Sequence, residues 1–415
     1  MNRRMFLQTS LAASLAASLP TFAALGRKPR ILLRNAWQSQ NIGDIAHYVG
    51  MLELLPRHGI DADIYLWPSR LDNGAGDLLA KYFPHITIVD DGPKIRSAIE
   101  HCDFFLHGSC SGFGAIRNVL QWQETGKPFG VFGISITSFA PEQFTVLSKA
   151  DFVFFRDSIS LQVAKEHGTT APIMEFGPDT AFGVVKTRND EAAIQFLKEH
   201  DLKEGEFRCC IPRYRWTPFW TVYPNREKDE TKHQRNEEMK EHDHAQLREA
   251  IVGIVRETNK KVLVTCEDQT QIALGKEVLV DPLPEDVKKK VVWRDRYWLP
   301  DEALSTYTRS AGLFGNEMHS PIMCIANGIP AVVCRFEEQT NKGYMWRDIG
   351  LDDWLFNLDE PKEVERIAPT VLSIAGDPKV AKEKAEAARQ VVLKRQNETF
   401  GVLAQSLEKA MEPAS

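Results

Sequence analysis

The sequence predicts an α/β protein built from two doubly wound domains, each with an open, mostly parallel sheet between layers of helices. Length is the first reason. Of 415 residues, roughly 390 remain once a predicted leader is set aside, and a chain of that length usually forms more than one hydrophobic core. Alternation is the second, because short apolar strands and amphipathic helices follow one another with short glycine-rich turns between them. The composition, 43% hydrophobic and 26% charged, is that of a globular protein.

Residues 1–25 are predicted to be an export signal rather than part of the fold. Arg3 and Arg4 stand before a Met-Phe-Leu-Gln sequence and an alanine- and leucine-rich run, a pattern typical of twin-arginine signals. Serines interrupt this short run, which makes it a poor membrane span, and Thr21–Ala23 offers a small-residue cleavage site. We therefore expect export by the twin-arginine route to the periplasm. The alternative is an uncleaved anchor that associates the protein with the membrane.

Charge and cysteine content exclude two broad classes of protein. The net charge is −6 and the isoelectric point near 6.0, without a basic cluster, so a nucleic-acid partner is not expected. The 7 cysteines are odd in number, lack CxxC spacing and lie mostly in apolar runs, where cysteine behaves as a small hydrophobic residue. A disulfide framework is therefore not predicted.

The first domain is predicted to span residues 28–188. It begins with the apolar strand Arg30–Arg34 and an amphipathic helix that stops at Pro56. Further strands are predicted at 61–67, 86–89, 102–108, 129–134 and 152–155, with a strand end at 175–176. Ligands of such sheets bind beyond the carboxyl ends of the strands, so the residues that follow each strand are the candidates for a site.

Three loops of this domain carry such candidates. Asn41 and Asp44 stand at the start of the first helix, where they bind a ligand or, in the case of Asp44, simply cap the helix. The glycine-rich loop that contains Ser109 lets the backbone approach a ligand closely. Arg156 follows a buried strand and either binds an anion as a guanidinium fork or pairs with Asp157 at the surface.

The second domain is predicted over residues 206–370, after an amphipathic linker helix at 190–204. Its strands are predicted at 207–211, 261–266, 291–293, 312–314 and 330–334. The charged run 225–244 is predicted to be a solvated loop that leads into a helix at 245–258. Amphipathic helices at 377–412 are expected to pack across the junction of the two domains.

The loop after the strand 207–211 combines arginines with aromatic residues. Arg213 and Arg215 supply guanidinium groups for a carboxylate or phosphate, and Trp216 and Trp220 supply faces that stack on sugars. An aromatic loop that only packs between domains is the alternative.

Histidines of the charged run come nearest to a metal-ligand set. His233, His242 and His244 lie close together in sequence, but the run is so hydrophilic that a solvated segment is favoured. No metal site is therefore predicted.

The stretch 311–347 supplies the central candidate. A strand, a sharp turn, a helix that begins near His319, a second strand and a loop ending in Lys342 form a βαβ unit. The helix N-terminus faces the carboxyl ends of the strands, where its dipole and unpaired N–H groups favour an anion. His319 is placed to donate or accept a proton near neutral pH. A histidine that only packs at a helix start is the alternative.

Six short motifs occur in a characteristic order, and through them the chain resembles the polysaccharide pyruvyl transferase family over most of its mature length. The motifs are Asn41-x-Gly43-Asp44, the loop Gly108–Gly114, the strand Gly130–Ile134, Arg156-Asp157-x-x-Ser160, Gly177-Pro178-Asp179 and the segment His319–Lys342.

The resemblance implies a GT-B-like fold, with two Rossmann-like domains facing a cleft. It implies transfer of a pyruvyl group from phosphoenolpyruvate to two hydroxyls of a saccharide, which forms a ketal and needs no cofactor. His319 stands where the family places its catalytic histidine, and Arg156 would hold the anionic groups of the donor. The substrate-binding residues expected beside them are Asn41, Asp44, Ser109, Arg213, Arg215, Glu317 and Lys342.

Glu317 departs from the family pattern, which has arginine two residues before the histidine. A carboxylate there removes a charge-assisted contact with an anionic donor and adds repulsion. Arg213 or Arg215 in the facing loop is the hypothetical substitute for the missing arginine.

Two other functions compete with the pyruvyl transferase. A GT-B glycosyltransferase that uses a sugar nucleotide is suggested by Glu338-Gln339-Thr340-Asn341, although the asparagine comes one residue early for the usual donor-sugar loop. In that case Glu317 is a candidate ribose-binding carboxylate. The other alternative is an exported carbohydrate-binding protein that kept the cleft and lost the donor site.

Overall fold

The computed structural model describes residues 26–136 and 140–412. The predicted export signal, residues 1–25, lies outside these ranges. The described chain contains a seven-stranded and a six-stranded sheet, both parallel throughout, and the predicted architecture of two doubly wound α/β domains is confirmed.

The first sheet lies in the N-terminal part of the chain and has the order β3-β2-β1-β4-β5-β6-β7. Its strands are β1 (Arg30–Arg34), β2 (Asp63–Trp67), β3 (Thr87–Ile88), β4 (Phe104–His107), β5 (Phe129–Ile134), β6 (Phe152–Phe155) and β7 (Met174–Phe176). The helices are α1 (Ile42–Arg57), α2 (Ala75–Tyr82), α3 (Gly92–His101), α4 (Ile116–Gln123), α5 (Pro141–Leu147) and α6 (Ser158–Glu166). The strand order reverses between β1 and β4, the position at which such sheets open a crevice for ligands.

The second sheet has the order β10-β9-β8-β11-β12-β13 and reverses between β8 and β11. Its strands are β8 (Phe207–Ile211), β9 (Lys261–Val264), β10 (Val291–Trp293), β11 (Leu313–Gly315), β12 (Ala331–Arg335) and β13 (Leu355–Asn357). Helix α7 (Asp190–Glu199) leads into this domain, whose helices are α8 (Glu230–Thr258), α9 (Gln271–Gly275), α10 (Glu285–Lys288), α11 (Pro300–Tyr307), α12 (His319–Ala326), α13 (Met345–Asp348), α14 (Pro361–Val364) and α15 (Ile367–Gly376).

The central strands of both sheets are buried along their whole length, as in β5, β6, β8 and β12. Helices cover both faces of a parallel sheet, so its strands read as continuous apolar runs and are easily found in a sequence. The predicted limits of these four strands agree with the observed ones to within one residue.

The charged run 225–244 was the clearest error of the sequence prediction. Most of it belongs to α8, whose N-terminus is capped by the Asp229 carboxylate accepting from the Lys232 N–H at 3.1 Å. Asn236, Asp243 and His244 are buried on the inner side of this helix, where each finds a polar partner. A helix face whose polar side chains are buried and hydrogen-bonded has the same hydrophilic sequence as a solvated loop. The edge strand β13 was also missed.

Helix α16 (Pro378–Met411) touches both domains. The Phe400 ring packs against His58 and Phe132 of the first domain, with centroids 4.8 and 5.0 Å apart. The Arg389 Nε atom of the same helix donates to the Ala326 carbonyl of the second domain at 3.0 Å. None of the described helices is both long and apolar enough to cross a membrane.

Candidate active site at the domain interface

The two domains meet where the carboxyl ends of their strands face each other. The Ile42 N–H at the start of α1 donates to the Glu267 carbonyl at 2.9 Å, and Asn41 and Asp268 form an isolated antiparallel bridge. Glu267 and Asp268 follow β9, and Asn41 precedes α1. Backbone contacts therefore fix the first helix of one domain against a strand end of the other.

His319 is the first residue of α12 and lies in this interface, 4% exposed. Its Nδ1 is 2.8 Å from Glu267 Oε1, and the Ser320 N–H donates to Glu267 Oε2 at 2.7 Å. Glu267 accepts only, so the network assigns the proton of the neutral imidazole to Nδ1 and the lone pair to Nε2. Glu267 thus orients the ring and leaves Nε2 for proton transfer.

Gly43 makes this position of His319 possible. A Cβ atom on Gly43 would lie within 3.0 Å of the His319 ring and of its Cβ. The backbone of α1 therefore serves as one wall of the histidine site, and only glycine permits that approach.

A chain of polar groups continues from His319 into the first domain. His47 Nε2, on α1, is 3.1 Å from His319 Nε2 and 3.2 Å from Asp179 Oδ2. Arg156 Nη1 donates to the same Asp179 oxygen at 2.6 Å. Burial opposes ionisation of Asp179, but His47, Arg156 and His319 together hold its pKa well below the usual value. Asp179 is therefore a carboxylate that stabilises positive charge along this chain.

His47, Asp179 and His319 each offer one possible metal-ligand atom, and these three atoms all lie within 4.8 Å of one another. A transition metal ion can bridge such a spacing. Two observations weigh against a metal. Arg156 already places a full positive charge on the Asp179 oxygen. His47 Nδ1, which a metal-bound ring would protonate, is buried without a hydrogen-bond partner among the described residues. A single proton accounts for the contacts, and we treat the cluster as a hydrogen-bonded chain.

Arg156 was predicted to bind an anion or to pair with Asp157 at the surface. It is fully buried and donates from Nε to Ser135 Oγ at 2.8 Å, whereas Asp157 caps α6 through the Ser160 N–H. The Nη2 atom has no partner among the residues that the structure describes. One edge of the guanidinium group therefore remains available.

Glu317 is buried and forms an ion pair with the partly buried Arg213. Arg213 Nη1 is 2.6 Å from both carboxylate oxygens, and Gln271 Nε2 donates to one of them. Burial raises the pKa of Glu317, and Arg213 opposes that rise. Arg213 follows β8 and Glu317 follows β11, so the pair lies at the crevice of the second sheet. Of the two candidate substitutes for the arginine that the family has at position 317, Arg213 is the one that contacts Glu317.

Lys342 is 8% exposed and makes no side-chain hydrogen bond or ion pair with residues 26–136 or 140–412. Burial lowers the pKa of its ammonium group, Arg213 and Arg156 lower it further, and Glu317 and Glu267 oppose them. Burial likewise lowers the pKa of His319 well below its usual value, with Lys342 and His47 adding to the effect. Three cations (Arg156, Arg213 and Lys342) and several carboxylates therefore lie around a histidine that is neutral in the free protein.

Arg215, also predicted to bind substrate, lies outside this cluster. It is buried and bound bidentately by Asp243 at 2.8 and 2.9 Å, while Nη1 contacts Glu338 at 2.9 Å and Asp359 at 2.7 Å. These carboxylates leave it no free charge for a ligand, and it fastens the loop after β8 to α8. Glu338 is occupied by the same arrangement.

The remaining predicted residues have structural partners. Asn41 caps α1, since its Oδ1 accepts from the Gly43 N–H at 2.7 Å, and Asp44 accepts from Gln38 Nε2 at 2.7 Å. The Ser109 hydroxyl is buried against Thr180, from which it accepts at 3.1 and 2.9 Å. Asp44 still bears on the site, because its charge favours protonation of His319.

The predicted site lacked four residues that the structure brings to it: His47, Asp179, Glu267 and Asp268. Asp179 lies in the Gly177-Pro178-Asp179 motif, and Glu267 and Asp268 end a predicted strand, so their positions after strands were a usable signal. His47 sits inside an amphipathic helix and gave none.

Comparison with known structures agrees with the fold. The chain is similar to Anabaena HepE in complex with UDP and glucose (TM-score 0.55, 11% identity, 92% of this chain and 100% of that chain covered). It is also similar to S. aureus MnaA bound to UDP (0.58, 10%, 90% and 94%). A third is a putative UDP-N-acetylglucosamine 2-epimerase from Listeria monocytogenes (0.54, 11%, 88% and 91%). At this identity the likeness shows the fold alone, which is the two-domain GT-B type.

Sequence comparison identifies the family. No curated protein sequence matches the chain significantly, but the profile of one family matches residues 41–337, from the cap of α1 to just beyond β12. This range contains His319, His47, Arg156, Asp179, Arg213, Glu267 and Glu317, whereas Lys342 lies just beyond it. The chain therefore belongs to the polysaccharide pyruvyl transferase family.

Proposed function

We propose that this transferase moves a pyruvyl group from phosphoenolpyruvate to two hydroxyls of a saccharide and forms a cyclic ketal. The observation that carries the proposal is a set of cationic side chains around His319 that have N–H groups without partners, although Arg156 and Arg213 are each ion-paired at another atom. Arg156 Nη2 and Arg213 Nε are buried without hydrogen-bond partners among the described residues, and Lys342 has no ion pair there. Buried donors without partners cost stability, and a ligand with several anionic oxygens satisfies them.

Phosphoenolpyruvate matches this demand. It carries a carboxylate and a phosphate on adjacent groups, and guanidinium and ammonium groups bind both. The N-terminus of α12 adds a favourable dipole next to His319. We assign Arg156, Arg213 and Lys342 to the donor, with Glu317 reducing the positive charge of Arg213 in the free protein.

His319 is the proposed acid. Burial lowers the pKa of His319 in the free protein, and Lys342 and His47 lower it further. An anionic donor nearby raises that pKa, so donor binding is coupled to protonation of Nε2. The protonated ring then delivers its proton to the methylene carbon of the donor, and the adjacent carbon becomes the electrophile. Glu267 keeps the ring oriented while its charge changes.

Atoms and protons balance over the reaction. A saccharide hydroxyl oxygen bonds to the electrophilic carbon, and its proton returns to His319. The carbon–oxygen bond to phosphate breaks, inorganic phosphate leaves, and a second hydroxyl closes the ketal. The second hydroxyl proton leaves with the phosphate. Neither a redox step nor a cofactor is required.

The transfer is tested with donor labelled with ¹³C in the methylene carbon and a panel of methyl glycosides and oligosaccharides. We expect a labelled ketal methyl signal by NMR together with released phosphate. His319→Gln should reduce the rate by about 10³-fold or more, since it removes the acid and keeps the shape. His58→Gln, in a histidine at the far end of α1, is the matched control. Release of phosphate to water without a ketal, in every acceptor tested, would rule out the proposed transfer.

A further inference from the structure

We propose that His47 and His319 form a proton-sharing pair across the domain interface, in which the N–H group of His47 positions the Nε2 lone pair of neutral His319. The pair exists in the free protein; its part in turnover rests on the function proposed above. His47 acts through His319 and is therefore a positioning residue.

The contact between the two rings demands a proton. Their Nε2 atoms are 3.1 Å apart, and the two residues are 1% and 4% exposed. Because the Nδ1–H group of His319 donates to Glu267, the neutral ring presents a lone pair at Nε2. Two facing lone pairs repel, so His47 Nε2 carries a proton and donates it to His319. The Asp179 carboxylate lies 3.2 Å from the same nitrogen and favours the proton there.

The surroundings limit the pair to one additional proton. Asp179 and Asp44 favour positive charge on His319, and Glu267 holds its Nδ1–H. Lys342 and His47 itself disfavour that charge, and Arg156 sits behind Asp179. Two imidazolium rings in contact would repel strongly in a buried site. The contact between the two Nε2 atoms therefore holds one proton at a time.

This arrangement suits the proton balance of the transfer. His319 gives a proton to the donor carbon and must recover one from the first hydroxyl. While the His319 ring is neutral, the N–H group of His47 fixes the direction of its Nε2 lone pair. Asp179 favours the His47 tautomer that carries this N–H. Other buried positions of α1 near His47 are mainly apolar. His47 therefore makes the polar side-chain contact between this helix and His319 of the second domain.

The direct test is NMR of the ¹⁵N-histidine-labelled full chain, without donor and with excess EDTA. A scalar coupling between the His47 and His319 Nε2 nuclei, through the shared hydrogen, is the expected result. EDTA removes a bridging metal, so loss of the ring contact on its addition would overturn the assignment, as would absence of the coupling.

Variants supply the second readout. His47→Gln removes a like-charged neighbour, so the titration midpoint of His319 should rise by about one pH unit or more, whereas His58→Gln should leave it in place. In turnover, His47→Gln should lower kcat about 10-fold or more with KM for phosphoenolpyruvate little changed. An unchanged His319 midpoint in folded His47→Gln would contradict the proposal. If His47→Gln does not fold, the coupling in the unmodified protein decides.

The two proposals fail separately. The coupling and the midpoints are measured without a donor, so a protein that forms no ketal can still show the pair. Conversely, ketal formation with an unchanged His319 midpoint would retain the transferase and reject the pair.

Discussion

Residue 317 reduces the positive charge of the proposed donor site. Its carboxylate holds Arg213 Nη1 at 2.6 Å from both oxygens, so an arginine that would otherwise face the donor is half neutralised. The sequence indicated that Glu317 was unusual and offered Arg213 or Arg215 as its counterpart. Only the structure separates them, because Arg215 is held by Asp243, Glu338 and Asp359.

Glu317→Gln should strengthen binding of phosphoenolpyruvate by about 10-fold. The amide keeps the shape and removes a negative charge beside the anion site. Isothermal titration calorimetry measures the effect, with the exposed Glu124→Gln as the control for a change in net charge. Weaker binding in Glu317→Gln would show that the carboxylate contacts the ligand favourably.

Asp268 predicts a pH dependence of stability. Burial raises its pKa from 3.8 to about 6, and the neighbouring Glu317 adds to the effect. The folded state then binds the proton more tightly than the unfolded state, so stability is present at low pH and is lost as the pH rises from about 4 to about 6. At neutral pH the loss is on the order of 3 kcal/mol.

Asp268→Asn should therefore be more stable than the unmodified protein at neutral pH, with a difference that disappears near pH 4. The side-chain oxygen still accepts from the Thr270 N–H, as Asp268 does at 2.8 Å. Urea unfolding at several pH values checks this. A difference that does not change with pH would mean that the carboxyl group is not the cause.

At the scale of elements, the approach of α1 to α12 builds the site. Gly43→Ala would place a Cβ atom within 3.0 Å of the His319 ring, so the helices must separate or the ring must turn. We expect a loss of about 1–3 kcal/mol of stability and of most transferase activity. Gly401→Ala, where nothing lies within 4 Å of the new Cβ in α16, should be neutral or stabilising by about 0.5–1 kcal/mol. Equal effects in thermal unfolding would contradict the close approach.

The elements themselves were largely predictable, and the reason is burial. Continuous apolar runs such as β5 and β6 are typical of the buried strands of a doubly wound sheet, so they were predicted as strands. Helix α8 was missed at its N-terminal half because Asn236 and Asp243 are buried through polar contacts, which a sequence cannot distinguish from solvation. His319 and its helix were found from the strand–turn–helix pattern. Its partner His47 depends on the docking of the two domains, and Glu267 depends on β8 lying between β9 and β11. A local sequence pattern predicts neither.

At the scale of the molecule, α16 ties the two domains together. Phe400→Ala removes a buried ring from the first domain and should cost about 3–5 kcal/mol. Val391→Ala on the same helix, 40% exposed, should cost about 0.5 kcal/mol or less. Denaturant unfolding followed by fluorescence measures both. Comparable costs in the two variants would mean that α16 is not part of the common core.

We propose that the interface around His319 binds a small enol phosphate, although similar structures in complex with UDP share the fold. The most direct measurement is calorimetric titration of phosphoenolpyruvate and of UDP-glucose into the full chain and into Lys342→Met. We predict one phosphoenolpyruvate site per chain, weakened about 30-fold or more in Lys342→Met, and no comparable binding of UDP-glucose. Binding of UDP-glucose without binding of phosphoenolpyruvate would contradict the account.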